Sequence, residues 1–536
     1  MKIIIRRSYY NEQLEKAITF VGLILPVTSI SEAAEKSAGS ENLVPIREIA
    51  EQNGAEVSWQ QKTGEITIRK SELTIVVKVG EKQAMVNGQA ISLNNPVQLT
   101  KGVTFMDGAF LSETLKAAPE DIFVSLISGG DGQEAAKYVH TSVSGVLSPT
   151  LLSQLWGALE GQNGKITSEA IAKHVENNTV HRNVTYTFKT ELTRLNITVR
   201  MNHNGLVDDL HIAAATPDVY QKPSYDDPSA YTEQDITVGQ GDLALPGTLT
   251  LPKGEGPFPV VILVHGSGPS NQDAAIGGAK PFRDLAVGLA SQGVAVLRYD
   301  KVTYEHTYKV ASQPKFTLKQ ESVNQVNDAV ELLKKNAHID STAIFVAGHS
   351  QGGFAMPLII AEDKQHDIAG SILLAAPSSS FVDVLTEQQD ELVERMKQLG
   401  LDTDVIQGQA DFYKNVAKIV KDPNYSVDHL PEAFPLQPAY WWFEQRDYVP
   451  AELAKTQNTP MLIIQGENDV QVSMNQFQTW KSALQGHSNV TYNSYPKVNH
   501  LLSSYDGLSI GQEYAEPSNV SKAIIDDIAK WVLKSN

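Results

Sequence analysis

Three residues able to act together as nucleophile, base and acid lie at the ends of apolar runs in the C-terminal part of the chain. Ser350 sits in Gly348-His349-Ser350-Gln351-Gly352-Gly353, after the β-prone run Thr342–Ala347 and before the helix-like run Phe354–Ile360. G-x-S-x-G between a buried strand and a helix puts serine on a strained turn, with its hydroxyl above the sheet. Asp469 follows the strand-like Met461–Ile464, within Gln465–Val472, and His500 follows Val490–Tyr495, at the end of Pro496-Lys497-Val498-Asn499-His500. A serine hydroxyl is a poor nucleophile until an imidazole accepts its proton. A carboxylate then fixes the imidazole's tautomer and stabilises its charged form. Serine, acid, histidine is the chain order that accompanies a strand–turn–helix elbow. His487 also follows Asp469, but it lies in the turn Gln485–Ser488, on the wrong side of the last strand. Glu467 is the alternative acid. The assignment is Ser350 as nucleophile, His500 as base and Asp469 as its orienting carboxylate.

Acyl chemistry at such a serine also needs N–H donors for the developing oxyanion. The backbone after the nucleophile supplies one, at Gln351. The turn Val264-His265-Gly266-Ser267-Gly268-Pro269 supplies the other, at Ser267 or alternatively Gly268. His265 in that turn reads as a loop-bracing residue and not as a second base.

The elements that must hold these residues alternate. Asp235–Val238 and Leu249–Leu251 read as an antiparallel pair. Val260–Val264 is apolar throughout, as in a strand buried on both faces. Helical Phe282–Ala290, strand Val294–Leu297, helical Val323–Lys335, the elbow strand, Ser371–Ala376, Met461–Ile464 and Val490–Tyr492 follow. Strands alternating with helices predict an α/β class with a doubly wound sheet, whose ligands bind beyond the strands' carboxyl ends. The chain between Pro377 and Pro460 is far longer than one crossover helix requires. Its helical runs Phe381–Leu399 and Asp402–Val420, and the aromatic run Pro438–Phe443, predict a helical cap over the site at 378–459. Tyr440, Trp441 and Trp442 are candidate walls of a substrate pocket, and equally candidates for cap-to-core packing.

From about Asp226 onward the chain resembles the bacterial α/β-hydrolase esterases that carry H-G-S-G-P, R-Y-D-K, G-H-S-Q-G-G, Q-G-x-x-D-x-Q-V and Y-P-x-x-N-H. These occur at His265–Pro269, Arg298–Lys301, Gly348–Gly353, Gln465–Val472 and Tyr495–His500. Val302 stands where such sequences commonly continue with arginine, which puts a ligand contact from that loop in doubt. Arg298 and Asp300 read as a structural ion pair. The resemblance implies an α/β-hydrolase sheet and a serine carboxylesterase acting on small acyl esters through an acyl-enzyme, with no cofactor and no metal. A serine aminopeptidase or acyl transferase could use the same three residues. A peptidase for free N-termini would want acidic groups in the cap, where Glu387, Asp390, Glu391 and Glu394 cluster in sequence. A surface-binding protein with a vestigial hydrolase domain is the third reading.

With 536 residues, several domains are expected. Residues 1–33 read as a signal peptide: Lys2, Arg6 and Arg7, the apolar Ala17–Leu25, then small residues at Ser29, Ser31, Ala33 and Ala34. Cysteine is absent, which suits a secreted or cell-surface protein. A formal charge of −18 argues against nucleic acid as a partner. The segment 42–118 runs from V-P-I-R-E-I-A-E through G-A-E-V-S-W to Phe105-Met106-Asp107, with a hairpin signal at Asn87-Gly88. It resembles the stalk-type N-terminal module of copper amine oxidases, which implies a wall or surface polymer as a partner. It contains no histidine, so copper is not implied. Segment 119–215 reads as a second small α+β domain. It resembles the nuclear-transport-factor-like domain of unknown function that precedes secreted hydrolases. His174, His181, His203 and His211 within it lack metal-ligand spacing. Pro217, Pro223 and Pro228 mark 216–231 as a linker, and the catalytic domain occupies 232–536.

Overall fold

A computed structural model describes residues 43–535 apart from 71, 72, 87 and 117. The expected signal peptide lies outside the described residues. The described chain divides into two compact units, residues 217–305 with 313–536, and residues up to 216 with 306–312.

The N-terminal unit holds two separate apolar clusters. The first lies under a five-stranded antiparallel meander built from Glu56–Gln60, Glu65–Lys70, Leu73–Lys78, Gln83–Val86 and Gln89–Ser92. Ile66, Ile68, Ile75 and Val77 point inward at every second position, the period of a half-buried strand. The second cluster joins helices Pro119–Ser128 and Pro149–Asn163 to the antiparallel strands Arg182–Lys189, Arg194–Met201 and Val207–Ala214, with Ala172–Asn177 added at the sheet's edge. Ser148 caps the longer helix by accepting from Leu151 N–H, and Pro149 fills its first turn.

The catalytic unit is one eight-stranded sheet. Its strands are β1 (Tyr231–Val238), β2 (Leu245–Pro252), β3 (Phe258–Val264), β4 (Ala295–Tyr299), β5 (Ile339–His349), β6 (Ile368–Leu374), β7 (Met461–Gly466) and β8 (Val490–Tyr495). Their spatial order is β1-β2-β4-β3-β5-β6-β7-β8. β2 runs antiparallel to both neighbours, and every pair from β4 to β8 is parallel. Val261, Leu263, Phe345, Ile372, Leu462 and Ile464 face one layer, covered by Phe282, Leu285 and Leu289 of helix Pro281–Ala290 and by Ile524, Ile525 and Ile528 of helix Lys522–Ser535. The alternate residues Val260, Ile262, Ile344 and Val346 are buried too, so the sheet is covered on both faces. The parallel strands all end on the same edge, and the turns after β3, β4, β5, β7 and β8 carry Gly266, Lys301, Ser350, Asp469 and His500.

The proline-rich stretch is not the free linker its composition suggests. Tyr220 donates to Asp284 at 2.6 Å, Tyr225 donates to the Val520 carbonyl at 2.7 Å, and Lys280 pairs with Asp218 at 2.7 Å. Tyrosines spaced among prolines give this segment half-buried rings and satisfied hydroxyls, so it is laid along the catalytic unit.

Between β6 and β7 the inserted cap forms helices Phe381–Gln398, Asp404–Val420, Ala439–Glu444 and Pro450–Ala454. Leu392, Val393, Met396, Ile406 and Ala410 of the first two pack on Val470 and Ile510. The cap is thereby seated beside the turn that bears Asp469.

Candidate active site

β5 ends in a backbone that most residues avoid. Ser350 has φ 53° and ψ −117°, a strained turn from which the chain enters the short helix Gln351–Phe354. The flanking glycines are a matter of space. A Cβ on Gly348 would stand 2.3 Å from the Gly352 carbonyl oxygen, and one on Gly352 would stand 2.3 Å from that of Val264. Neither contact can be relieved without moving backbone. Gly266, in the turn after β3, is also close: its Cβ would lie 3.2 Å from that of Ser350. The turn that bears Ser267 and Gly268 is therefore adjacent to the serine, and Gln351 follows it directly. Ser267 is exposed, and Gly268 takes φ 80°.

Asp469 and His500 meet. His500 Nδ1 lies 2.8 Å from Asp469 Oδ2, with both side chains buried. The carboxylate is held from several sides. Its Oδ1 accepts from the N–H groups of Gln471 and Val472 at 2.8 and 2.9 Å, and Gln465 Nε2 donates to Oδ2 at 3.2 Å. His500 in turn stands next to the elbow, its carbonyl 2.8 Å from His349 Nε2 and its ring centroid 4.7 Å from that of His349. An imidazole with Nδ1 fixed on a carboxylate keeps Nε2 free to take a proton. Among the described residues the Ser350 hydroxyl makes no hydrogen bond, and serine–histidine contacts in unliganded sites are often loose until substrate binds.

The competing residues fall elsewhere. Glu467 is exposed and accepts from Ser494 at 2.8 Å. His487 lies in a turn, its N–H on the Leu484 carbonyl. His265 donates Nε2–H to the Tyr299 carbonyl at 2.6 Å, which is a bracing contact. Arg298 is ion-paired to Glu233 and Asp273 at 2.8 and 3.0 Å and also donates to Thr250, where the sequence had suggested Asp300 as its partner. Val302 is buried and opens the one-turn helix Val302–Glu305. Trp441 and Trp442 are 7% and 6% exposed; Trp441 packs edge to face on Trp442 and on Phe381, and Trp442 lies tilted against Phe381. The Trp441 indole N–H donates to Glu321 at 2.8 Å. That bond ties the aromatic run of the cap to the core. Tyr440 is partly exposed.

Three contributors had no signal of their own in the sequence. Arg395, on the first cap helix, donates to the carbonyls of Asn468, Asp469 and Ser509 at 2.9, 2.8 and 3.0 Å and so braces the acid's turn. Glu321 and Gln465 likewise act through contacts distant in the chain or hidden inside a turn.

Two buried histidines give the region a pH dependence. Burial pushes both His265 and His349 down to about 3, from an ordinary 6.5. Below 6.5 the unfolded chain takes up protons there that the folded chain refuses, so stability falls as pH drops through that range. Asp284, raised by burial from 3.8 to about 6, opposes this between those values, and burial raises Asp328 and Glu444 in the same sense. The catalytic unit is therefore expected to melt at lower temperature at about pH 5 than at about pH 7.5. A His349→Asn variant should show a shallower slope, and an unchanged slope would remove His349 from the account.

The prolyl oligopeptidase family model matches residues 289–516, a span that contains Ser350, Asp469 and His500. Esterase EstD of Thermotoga maritima is 32% identical over 414 residues, 77% of this chain and 94% of that protein. The chain belongs to the α/β-hydrolase esterase family. The match is longer than the catalytic unit, so the likeness of this esterase to that relative extends back into the preceding α+β unit. As a hydrolase of the esterase and peptidase kind, it also resembles the solved Est1E from Butyrivibrio proteoclasticus at 16% identity and a TM-score of 0.37, over 56% of this chain and 98% of that one. Residues 28–119 match the copper amine oxidase N-terminal domain model. A primary amine oxidase of Klebsiella aerogenes is 26% identical over 106 residues, 20% of this chain and 14% of that protein.

Proposed function

We propose that the protein is a serine carboxylesterase that cleaves small acyl esters through an acyl-enzyme on Ser350. The observation that carries this reading is the buried Asp469–His500 pair, 2.8 Å long, set against the strained turn that presents Ser350. In the first step His500 Nε2 takes the hydroxyl proton as Ser350 Oγ adds to the ester carbonyl. The Gln351 N–H, with that of Ser267 or Gly268, receives the oxyanion. Collapse expels the alcohol, which takes the proton from His500. Water then repeats the sequence on the acyl-enzyme and releases the acid.

The cap favours ester over free N-terminal peptide. Glu387 accepts from Ser473 and Gln476, Asp390 pairs with Lys414 at 2.7 Å, and Glu391 pairs with Arg395 at 2.7 Å. These three acids are engaged by the protein itself, and the fourth, Glu394, is exposed with Gln398 Nε2 at 3.5 Å, which supports the reading without a dedicated ammonium pocket. Tyr440, beside the packed indoles, is the proposed aromatic wall for the acyl group. Export to the cell surface is supported by the residue order of 1–33 and the lack of cysteine, and a wall polymer is the proposed partner of the stalk-like module.

The deciding experiment sets p-nitrophenyl esters of rising acyl length beside aminoacyl-anilides and maps a fluorophosphonate adduct by mass spectrometry. Ester turnover at least about 10²-fold above anilide turnover, with the adduct on Ser350, is the expected result. Anilide cleavage at equal or higher kcat/KM would replace the esterase reading by a peptidase.

A further inference from the structure

Behind the proposed oxyanion donors lies a buried charged network that the chemistry above does not use. Lys301, Glu321, Gln351 and Trp441 are 2%, 8%, 2% and 7% exposed. The three N–H bonds of the Lys301 ammonium are all spent: on the Gly266 carbonyl at 2.8 Å, on Gln351 Oε1 at 2.9 Å and on Glu321 at 2.5 Å. The other oxygen of Glu321 accepts from Trp441 Nε1 at 2.8 Å and from Gln351 Nε2 at 3.4 Å. Both ends of the Gln351 amide are thus clamped by the one ion pair.

A buried ion pair is a poor way to gain stability, since apolar residues of similar volume serve as well or better. What this one contacts is specific. Gly266 is the residue whose backbone abuts Ser350, and Gln351 is the residue whose N–H follows it. Glu321 itself reaches inward from a single π-helical turn, Lys319–Val323, at the head of helix Asn324–Leu333. Such turns are irregularities that recur at functional sites. We propose that Lys301 and Glu321 are a positioning pair that sets the spacing of the two oxyanion donors. The Trp441 indole N–H makes that spacing depend on the seating of the cap. The inference rests on the serine-esterase reading above. Neither side chain touches the substrate: the pair acts through the Gly266 carbonyl and the Gln351 amide.

The test uses the full chain with Lys301→Met/Glu321→Leu, which removes both charges together, and with Glu321→Gln and Trp441→Phe. Melting temperature, kcat and KM on p-nitrophenyl butyrate, and affinity for a trifluoromethyl ketone that forms a tetrahedral adduct on serine are the readouts. The double variant is expected to melt cooperatively near the parent temperature, with kcat lower by roughly 10²-fold and KM within about threefold. Ketone affinity should fall by the same factor as kcat, a correlation that a merely structural role would not produce. Trp441→Phe keeps the ring and loses the donor, and should lower kcat by roughly three- to tenfold with acyl-length preference unchanged. Glu321→Gln should fall between the two. Parental kcat and ketone affinity in the double variant would overturn the proposal, as would a loss confined to melting temperature. Fluorophosphonate labelling of the parent separates the levels: no adduct on Ser350 would refute the serine reading, whereas an adduct with an unimpaired double variant refutes the positioning pair alone.

Discussion

Ser350→Ala is expected to lower ester turnover by roughly 10^4-fold or more while the melting transition stays in place. Alanine removes one oxygen that among the described residues makes no hydrogen bond, and its Cβ accepts the same φ of 53° that serine already tolerates. No packing is lost, and no buried partner is stranded. The residual rate should come from the oxyanion donors and from substrate binding. His500→Ala should cost a comparable amount, and the double variant little more than either, because serine and histidine act as one unit. Turnover and melting curves on purified variants decide the matter. If Ser350→Ala retained a tenth of parental activity, the nucleophile would be another group. If His487→Ala were more damaging than His500→Ala, the base would be misassigned.

Asp469→Asn should lower kcat by roughly 10^3- to 10^4-fold, and the reason lies in the direction of its hydrogen bonds. Two backbone N–H groups, of Gln471 and Val472, point at one side-chain oxygen and will keep an amide carbonyl in that place. The asparagine NH2 is then turned toward His500 Nδ1 and toward Gln465 Nε2, itself a donor. The imidazole must accept at Nδ1 and carry its proton on Nε2, where it can no longer take one from serine. Fold and substrate binding should survive, so the loss should appear in kcat and not in KM. Glu467→Gln is the control: exposed and bonded to Ser494, it should change kcat by less than about twofold. The reverse ranking would make Glu467 the acid.

Much of the catalytic unit could be read from the sequence because its signals are local. The runs Val260–Val264 and Met461–Ile464 are apolar without interruption, as strands buried on both faces require, and each ends where a chemical residue begins. The glycines around Ser350 also announce themselves, since both serve contacts within five residues or with the next strand. What could not be read depends on partners far along the chain. Strand Ala172–Asn177 is exposed at every position and shows no apolar alternation; it is a strand only because Arg182–Thr187 pairs with it. The Pro217–Pro228 stretch has a linker's composition, and only Asp284 and Val520 reveal that its tyrosines are anchored. The helix expected at Val323–Lys335 is present as Asn324–Leu333, but the π turn Lys319–Val323 before it, which aims Glu321 at Lys301, has no local signal. Arg395 is one of many charges along its cap helix, and only its distant carbonyl partners set it apart.

Arg395 also bears on how such an enzyme can be altered. It grips the acid's turn mainly through main-chain carbonyls, at residues 468, 469 and 509, with a longer contact of 3.4 Å to the Asn468 side-chain oxygen. Most of the grip falls on backbone, so side chains of the turn other than Asp469 and Asn468 can drift without loosening it, while the cap helix that supplies the guanidinium cannot be exchanged freely. A cap transplanted from a relative to change selectivity would bring its own lining but leave three carbonyls without their donor. A cap exchanged into this chain would need an arginine, or an equivalent fork of donors, at this one helical position. The cap here is a structural part of the catalytic machinery, and not a detachable specificity cassette.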